Sequence, residues 1–130
     1  MILDTCFILD VMRGDKSAIE KLNELDSANQ PQLVTSLTIF ELFTGISRSI
    51  RPEAELVKID GVLTDQLRIP FDDVAAMRAG DIHGILLNSG TPIGVIDSMI
   101  AGIALSRSEK ILTRNVSDFN KVNSLEIETY

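Results

Sequence analysis

Short apolar runs alternate with longer amphipathic stretches along the whole chain, and this alternation limits the folds that the chain can adopt. The runs have the length of buried strands. They lie at Met1–Asp4, Leu33–Ser36, Leu67–Phe71, Lys110–Thr113 and, more weakly, Glu126–Thr129. Strands that alternate with helices favour a parallel sheet with helices on both faces. We therefore expect one α/β domain over residues 1–130, with an open parallel sheet of four to five strands.

The helices between these strands are marked by capping residues and apolar stripes. We predict helices at Cys6–Met12, Lys16–Ala28, a stretch beginning near Thr38, Pro52–Gln66, Asp72–Asn88 and Ile96–Ser108. Ser36 or Thr38 can cap the third helix, and Thr38 with Glu41 fits the S/T-x-x-E capping box. Its apolar stripe comprises Ile39, Leu42, Phe43 and Ile46. The residues expected to be buried in the fifth helix are Ile82, Ile85 and Leu86.

The composition favours a cytoplasmic protein without a membrane segment. Cys6 is the only cysteine, so no disulfide can form within the chain, which favours a reducing compartment. No apolar run approaches the roughly 20 residues of a membrane span. The first ten residues lack a basic region before their apolar stretch, which argues against a signal peptide.

The charge balance restricts the kind of partner that the chain can bind. With 12 basic and 19 acidic residues, the net charge is −7. Nucleic-acid binders usually carry a basic surface, so this charge argues against tight non-specific binding to nucleic acid. The net charge of −7 remains compatible with an acidic nuclease if metal ions neutralise part of the acidic groups and basic residues cluster locally. It is also compatible with a basic protein partner.

Four acidic residues lie where strands end or neighbouring helices begin. Asp4 closes the first strand, and Asp118 lies in the loop after the fourth. Glu41 is predicted in the first turn of the helix after the second strand, and Asp97 in the first turn of the helix before the fourth. Ligands of open parallel sheets bind beyond the carboxyl ends of the strands. We therefore expect these four carboxylates to meet on one rim.

Carboxylates gathered on one rim repel one another unless cations share the site. Hard oxygen ligands suit Mg²⁺ or Mn²⁺. Such ions activate water and stabilise the attacking and leaving oxygens of a phosphodiester. The pattern thus predicts metal-dependent hydrolysis at phosphorus, without a covalent enzyme intermediate.

Each acid also has a purely structural interpretation. Asp4 can cap the first helix, and Glu41 can be the capping-box partner of Thr38. Asp97 can favour the dipole of its helix, and Asp118 can be an ordinary loop acid. Taken singly, these roles are at least as compatible with the residues as metal binding. The occurrence of an acid at every expected rim position favours the functional interpretation.

The four acids lie within four short segments, Ile2–Thr5, Thr35–Leu42, Gly90–Ala101 and Leu112–Phe119. These segments resemble, in the family's order, the four motifs of PIN-domain ribonucleases of the VapC toxin type. The third and fourth are the most specific. The resemblance implies a parallel-sheet PIN fold and Mg²⁺- or Mn²⁺-dependent endoribonuclease activity. It also implies a homodimer and, in toxin–antitoxin pairs, inhibition by a small antitoxin protein.

The same resemblance implies roles for individual residues. Asp4 and Asp97 would be the firmest metal ligands, and Asp118 would complete the site directly or through water. Glu41 would bind a second ion or position the attacking water. The polar residues expected to support the site are Thr5 and Asn115.

Three other residues carry reactive or charged side chains near these motifs or within a predicted helix. Arg114 suits contact with an RNA phosphate, since guanidinium binds bidentately, although a solvated surface role fits equally. His83 is the only histidine and lies in mid-helix, so an ordinary packed or surface role is favoured. Cys6 is expected to be a small buried apolar residue.

Other function classes fit the residues less well. A receiver-like signalling module that binds Mg²⁺ would need paired acids after the first strand, where Asp4 stands alone. A dehalogenase-type phosphatase would need an acid at Cys6 and a threonine at Ile8. A PIN scaffold that binds RNA without cutting is disfavoured by the four intact acids. A stand-alone PIN nuclease in RNA processing remains an alternative to a toxin.

Overall fold

The computed structural model describes residues 1–130 and contains one sheet of five parallel strands in the order β3-β2-β1-β4-β5. The strands are β1 Ile2–Leu3, β2 Leu33–Thr35, β3 Leu67–Ile69, β4 Ile111–Leu112 and β5 Ile127–Glu128. Each lies within a predicted strand, so the parallel sheet and its fifth strand are confirmed. The strands are shorter than the apolar runs because only residues in the hydrogen-bonded ladder are counted.

Seven helices surround the sheet. They are α1 Thr5–Arg13, α2 Lys16–Ser27, α3 Ser36–Ser47, α4 Pro52–Leu63, α5 Asp73–Asn88, α6 Val95–Arg107 and α7 Val116–Phe119. The first six agree with the predicted helices to within a few residues. The short helix α7 occupies the predicted loop, so Asp118 lies in a helical turn and the loop assignment was wrong. None of these helices combines the length and apolarity needed to cross a membrane.

The core has two halves, one on each face of the sheet. Ile2 and Ile111 pack against α5, α6 and α7. The next residues, Leu3 and Leu112, point the other way and pack against α1 to α4. This follows from the two-residue repeat of strand side chains. Because both faces are covered, chemistry at the carboxyl ends of the strands is confined to the rim.

Helices α5 and α6 cross closely because one residue lacks a side chain. A Cβ placed on Gly102 of α6 would lie 2.6 Å from the carbonyl oxygen of Ala75 and 2.7 Å from the Cβ of Ala79. Contacts this short are forbidden by van der Waals repulsion, so only glycine permits this crossing. The close crossing fixes α6, whose first turn contains Asp97.

The start of α3 differs from the predicted capping box. Thr35 is the N-cap, and its Oγ1 accepts a hydrogen bond from the backbone N of Thr38 at 3.0 Å. Ser36 is therefore the first residue of the helix and Thr38 is buried inside it, so both predicted caps were wrong. Glu41 consequently lies in the second turn of α3, not in the first. Its carboxylate is free for contacts outside its own helix.

Two of the residues predicted in apolar stripes face solvent. Phe43 is 46% exposed and Ile85 is 64% exposed. With about 100° per residue, Ile85 lies roughly a quarter turn, and Phe43 roughly a third of a turn, from the centre of the buried row of its helix. An apolar side chain at the margin of a stripe can face either way, and packing alone decides which.

Candidate active site

The order of the strands reverses between β1 and β4. The chain passes from β1 to β2 and β3 on one side and then crosses to β4 and β5 on the other. Such a reversal leaves a crevice at the carboxyl ends of the two strands, where open parallel sheets bind ligands. Receiver domains have the order β2-β1-β3-β4-β5, so the observed order excludes the signalling alternative. Asp4 follows β1 and Thr113 follows β4 at this crevice.

Asp4 is buried and oriented by three donors. Its Oδ1 accepts a hydrogen bond from the backbone N of Thr5 at 2.8 Å. Its Oδ2 accepts one from Thr113 Oγ1 at 2.7 Å and one from Cys6 Sγ at 3.0 Å. Asp4 is thus the cap of α1, and it is also held from the neighbouring strand. The hydrogen bond from Thr113, which follows β4, fixes the orientation of the Asp4 carboxylate at the crevice.

Glu41 reaches the same crevice from α3. Its Oε2 accepts a hydrogen bond from the hydroxyl of Thr5, the residue after Asp4. The second and first sequence motifs are therefore joined by a direct side-chain contact. Thr5 thus donates to one acid with its backbone N and to another with its hydroxyl.

Asp97 lies among the other three acids. It is half-buried in the first turn of α6, and burial together with the charges of Asp4, Glu41 and Asp118 raises the pKa of Asp97 to about 6. Only carboxylates close to Asp97 could act on it in this way. Asn115 Nδ2 lies 3.4 Å from Asp97 Oδ2 and is its hydrogen-bond donor.

Asp118 lies at the outer side of the cluster. Lys121 Nζ donates to its Oδ1 at 2.7 Å. This hydrogen bond, together with the positive charge of Lys121 and a contact from Asn115, lowers the pKa of Asp118 below its ordinary value. Asp118 is therefore ionised at neutral pH, whereas Asp97 holds its proton more tightly.

The donor set fits a hard divalent cation, although the acids are not gathered around one point. Four carboxylates and no histidine are the ligands that Mg²⁺ and Mn²⁺ prefer. As the side chains stand, no three acidic, histidine or cysteine residues are close enough together to hold one ion. The repulsion felt by Asp97 acts over longer distances than a metal–oxygen bond. To share one ion, at least some of these carboxylates would therefore have to move closer to the others.

The structure brings together all four acids, Thr5 and Asn115, but it places the Arg114 side chain elsewhere. Nη1 of Arg114 lies 2.9 Å from Asp10, and Nη2 lies 2.9 Å from Asp15, outside the acidic crevice. His83 is half-buried with its Nδ1 3.0 Å from Ser98 Oγ, a packed histidine as expected.

Two residues at the site escaped the sequence analysis. Cys6 is only partly buried and donates to Asp4, so its assignment as a buried apolar residue was wrong. Thr113 is fully buried and links Asp4 to Asn115. Its Oγ1 donates a hydrogen bond to Asp4 and accepts one from the backbone N of Asn115 at 2.9 Å. A threonine that directly follows an apolar strand was the only available signal for this role, and such residues are common.

Comparison with known proteins gives a consistent assignment. The PIN domain family matches residues 1–125. The tRNA(fMet)-specific endonuclease VapC of Salmonella typhimurium is 32% identical over 116 residues, which is 88% of each chain. The protein of the same name from Shigella flexneri is 30% identical over 129 residues, covering 99% of this chain and 96% of the relative.

Solved structures agree with this assignment. The structure of DNA-bound VapBC from Salmonella typhimurium superposes with a TM-score of 0.87 and 32% identity, covering 98% of this chain and 96% of that one. VapBC2 from Rickettsia felis, bound to a promoter DNA fragment, superposes with a TM-score of 0.92 and 25% identity, over 99% and 97% of the two chains. The chain therefore belongs to the PIN-domain family and, within it, to the VapC group.

Proposed function

We propose that this protein is the toxin ribonuclease of a toxin–antitoxin pair and hydrolyses RNA phosphodiester bonds with Mg²⁺ or Mn²⁺. The observation that carries the proposal is the convergence of Asp4, Glu41 and Asp118 on Asp97, whose pKa their charges and its burial raise to about 6. Gathering like charges destabilises a fold, so the arrangement has a physical reason if a cation binds there. The VapC relatives, which are named as ribonucleases, support the same reaction.

Asp4 and Asp97 would hold the ion, with Asp118 completing the coordination directly or through water. Glu41 would hold a second ion or the attacking water. When bound, Mg²⁺ or Mn²⁺ lowers the pKa of water and neutralises charge on the phosphodiester. Thr113 and Cys6 keep Asp4 in place through hydrogen bonds at 2.7 and 3.0 Å. Such supporting contacts reduce the reorganisation needed to bind an ion.

The crevice is open, as a polymer substrate requires. Glu41, Asp97 and Asp118 are only partly buried and can be reached from solvent, whereas Asp4 lies beneath them and is 5% exposed. Two relatives are named for cleavage of tRNA(fMet), which makes this RNA the first substrate to test. The net charge of −7 does not favour indiscriminate binding to RNA, and it is consistent with a restricted set of substrates.

A small antitoxin is the proposed protein partner, and a homodimer the proposed assembly. Among the similar solved structures, two are of VapBC bound to DNA, and a third is named as a member of the VapBC family of toxin–antitoxin systems. Exposed apolar side chains such as Phe40 and Met77, which are 60% and 67% exposed, supply surface for such contacts. An RNA substrate and an unpaired cysteine both fit work in the cytoplasm.

RNA cleavage by purified protein tests the proposed function. Labelled tRNA(fMet), another tRNA and an unstructured RNA would be incubated with the protein in chelator, Mg²⁺ or Mn²⁺. We expect cleavage only with added metal, and none by the variants Asp4→Asn and Asp97→Asn. Asp60→Asn is the matched control, because Asp60 is exposed on α4 far from the motifs in sequence. Equal cleavage by all four proteins, with contaminants excluded, would show that this rim is not the catalytic site.

A further inference from the structure

The guanidinium of Arg114 is held from several sides. Nη1 lies 2.9 Å from Asp10 Oδ2 on α1, and Nη2 lies 2.9 Å from Asp15 Oδ1 at the N-cap of α2. Nη2 also donates to the hydroxyl of Ser17. The ring of Tyr130 covers the guanidinium, with its centre 4.5 Å from Cζ. We name these five residues the Arg114 clamp.

Tyr130 fastens the clamp to α1. Its hydroxyl donates to Asp10 Oδ2 at 2.9 Å, and its ring meets Phe7 edge to face at 4.8 Å between centres. Burial, followed by the nearby Cys6 and Asp10, raises the pKa of Tyr130 above its ordinary value, so the hydroxyl remains a donor. Phe7 is fully buried in the core, so the clamp is attached to a rigid part of the fold.

The backbone at Arg114 belongs to the acidic site. Its N lies 3.4 Å from Cys6 Sγ. The preceding residue, Thr113, donates to Asp4, and the following residue, Asn115, donates to Asp97. The side chain of one residue is thus clamped to α1 and α2, while both of its neighbours hold carboxylates of the site. Any shift of this segment would move both hydrogen-bond donors together.

Charge argues against contact between this guanidinium and RNA. Arg114 carries one positive charge and is paired with two carboxylates, Asp10 and Asp15. A phosphate that approached it would also approach these two negative charges. Its side chain is 39% exposed, and the hydrogen bonds to both carboxylates already orient its fork.

We propose that Arg114 is a positioning residue, which through its clamp holds the segment 113–115 where it orients Asp4 and Asp97 for metal binding. The proposal rests on the proposed function, since it takes these acids as metal ligands. It gives Arg114 a role different from that of a phosphate contact. Supporting residues of this kind typically change metal affinity or activity by about 10- to 100-fold when they are replaced.

Arg114→Ala, compared with a matched arginine variant, tests the proposal. Arg107→Ala is the control, because Arg107 is also paired with an aspartate, Asp72, at 3.0 Å, and its side chain is 37% exposed. Mn²⁺ binding to each full-length protein would be measured without RNA from the electron paramagnetic resonance of free Mn²⁺. Initial rates of multiple-turnover RNA cleavage, measured over a range of RNA and salt concentrations, would separate kcat from KM.

The positioning role predicts a loss of metal affinity. Arg114→Ala should weaken Mn²⁺ binding by about tenfold and lower kcat at fixed Mn²⁺, with KM for RNA unchanged. Arg107→Ala should behave like the unmodified protein in both assays. Tyr130→Phe keeps the ring but loses the hydrogen bond to Asp10, so it should give a smaller loss of Mn²⁺ affinity in the same direction. If Arg114→Ala does not fold, Tyr130→Phe still tests whether the Arg114 clamp affects Mn²⁺ affinity.

Two results would overturn the positioning role. In the first, KM for RNA rises in Arg114→Ala while Mn²⁺ affinity is unchanged. The slope of log KM against log salt concentration also falls by about one. These changes would make Arg114 a phosphate contact. In the second, the clamp variants and Arg107→Ala bind Mn²⁺ equally well. Failure of the proposed function looks different, because the unmodified protein would then neither bind Mn²⁺ nor cut RNA.

Discussion

Replacing Asp97 by asparagine should make the metal-free protein more stable at neutral pH. Burial and the charges of Asp4, Glu41 and Asp118 raise the pKa of Asp97 from 3.8 to about 6. A folded-state pKa above the unfolded one means that the ionised side chain destabilises the fold. Two pKa units correspond to about 3 kcal/mol. Because the residue is only half-buried, solvent screening reduces this to about 1–2 kcal/mol.

The substitution has a smaller opposing effect. Asp97 lies in the first turn of α6, where a negative charge stabilises the helix by about 0.5 kcal/mol. A net gain near 1 kcal/mol should raise the Tm of a domain of this size by about 3–5 °C. The gain depends on pH. Well below pH 3.8 Asp97 is protonated in both the folded and the unfolded state. Between pH 3.8 and about 6 it is ionised only in the unfolded state, so the destabilisation grows over this range and is complete above it.

Thermal unfolding in chelator tests the expected stability gain of the metal-free variant, and thermal unfolding in Mn²⁺ tests the role of Asp97 in metal binding. In chelator at pH 7.5, Asp97→Asn should unfold at a higher temperature than the unmodified protein, and the difference should vanish near pH 3.5. With Mn²⁺ at about 100 times its Kd, the unmodified protein should gain about 2.7 kcal/mol, whereas Asp97→Asn gains much less. Asp60→Asn, which changes an exposed acid on α4, controls for net charge. A destabilised Asp97→Asn protein in chelator, or an equal gain from Mn²⁺ in both proteins, would refute the reasoning.

Three further outcomes can be checked. Gly102→Ala should destabilise the fold by about 1–3 kcal/mol in urea denaturation, since the new Cβ would lie 2.6 Å from the carbonyl oxygen of Ala75; Gly84→Ala, with open space at its Cβ, should be neutral or stabilising, and equal effects would contradict the packing argument. Thr113→Val removes the hydroxyl that donates to Asp4 and should weaken Mn²⁺ binding about tenfold by calorimetry; unchanged affinity would leave Thr113 a packing residue. Expression of the chain alone should arrest bacterial growth, and a short reading frame beside its gene should encode a protein that restores it; harmless expression would favour a stand-alone nuclease.

The amino-acid sequence was sufficient for the architecture and for the side of the sheet at which the acids lie, although not for the local positions of Glu41 and Asp118. Strand β1 and the helix after it can be recognised in the sequence, because the spacing of apolar residues and the capping residues depend on only a few neighbouring positions. The rule that ligands bind at the carboxyl ends of parallel strands then placed Asp4 and Asp97 on one rim. The site geometry agrees, since the charge of Asp4 contributes to the raised pKa of Asp97.

Local reasoning failed where two choices were close in energy. Thr35, Ser36 and Thr38 all carry a hydroxyl that can cap α3; the sequence favoured Ser36 or Thr38, and the strand register puts the cap at Thr35. Ile85 lies at the margin of an apolar stripe, and the packing of α5 on α6 turns it outward. Neither alternative violates a local rule, so nothing nearby in sequence could separate them.

Contacts between distant residues could be decided only by the tertiary structure. Arg114 reaches Asp10, Tyr130 returns to α1, and Cys6 lies against Asp4 and Thr113. An isolated arginine or cysteine looks the same in a sequence whether it binds RNA, faces solvent or supports a neighbour. The direction and partners of such a side chain depend on how strands β1 and β4 are placed side by side, and that placement is a property of the whole fold.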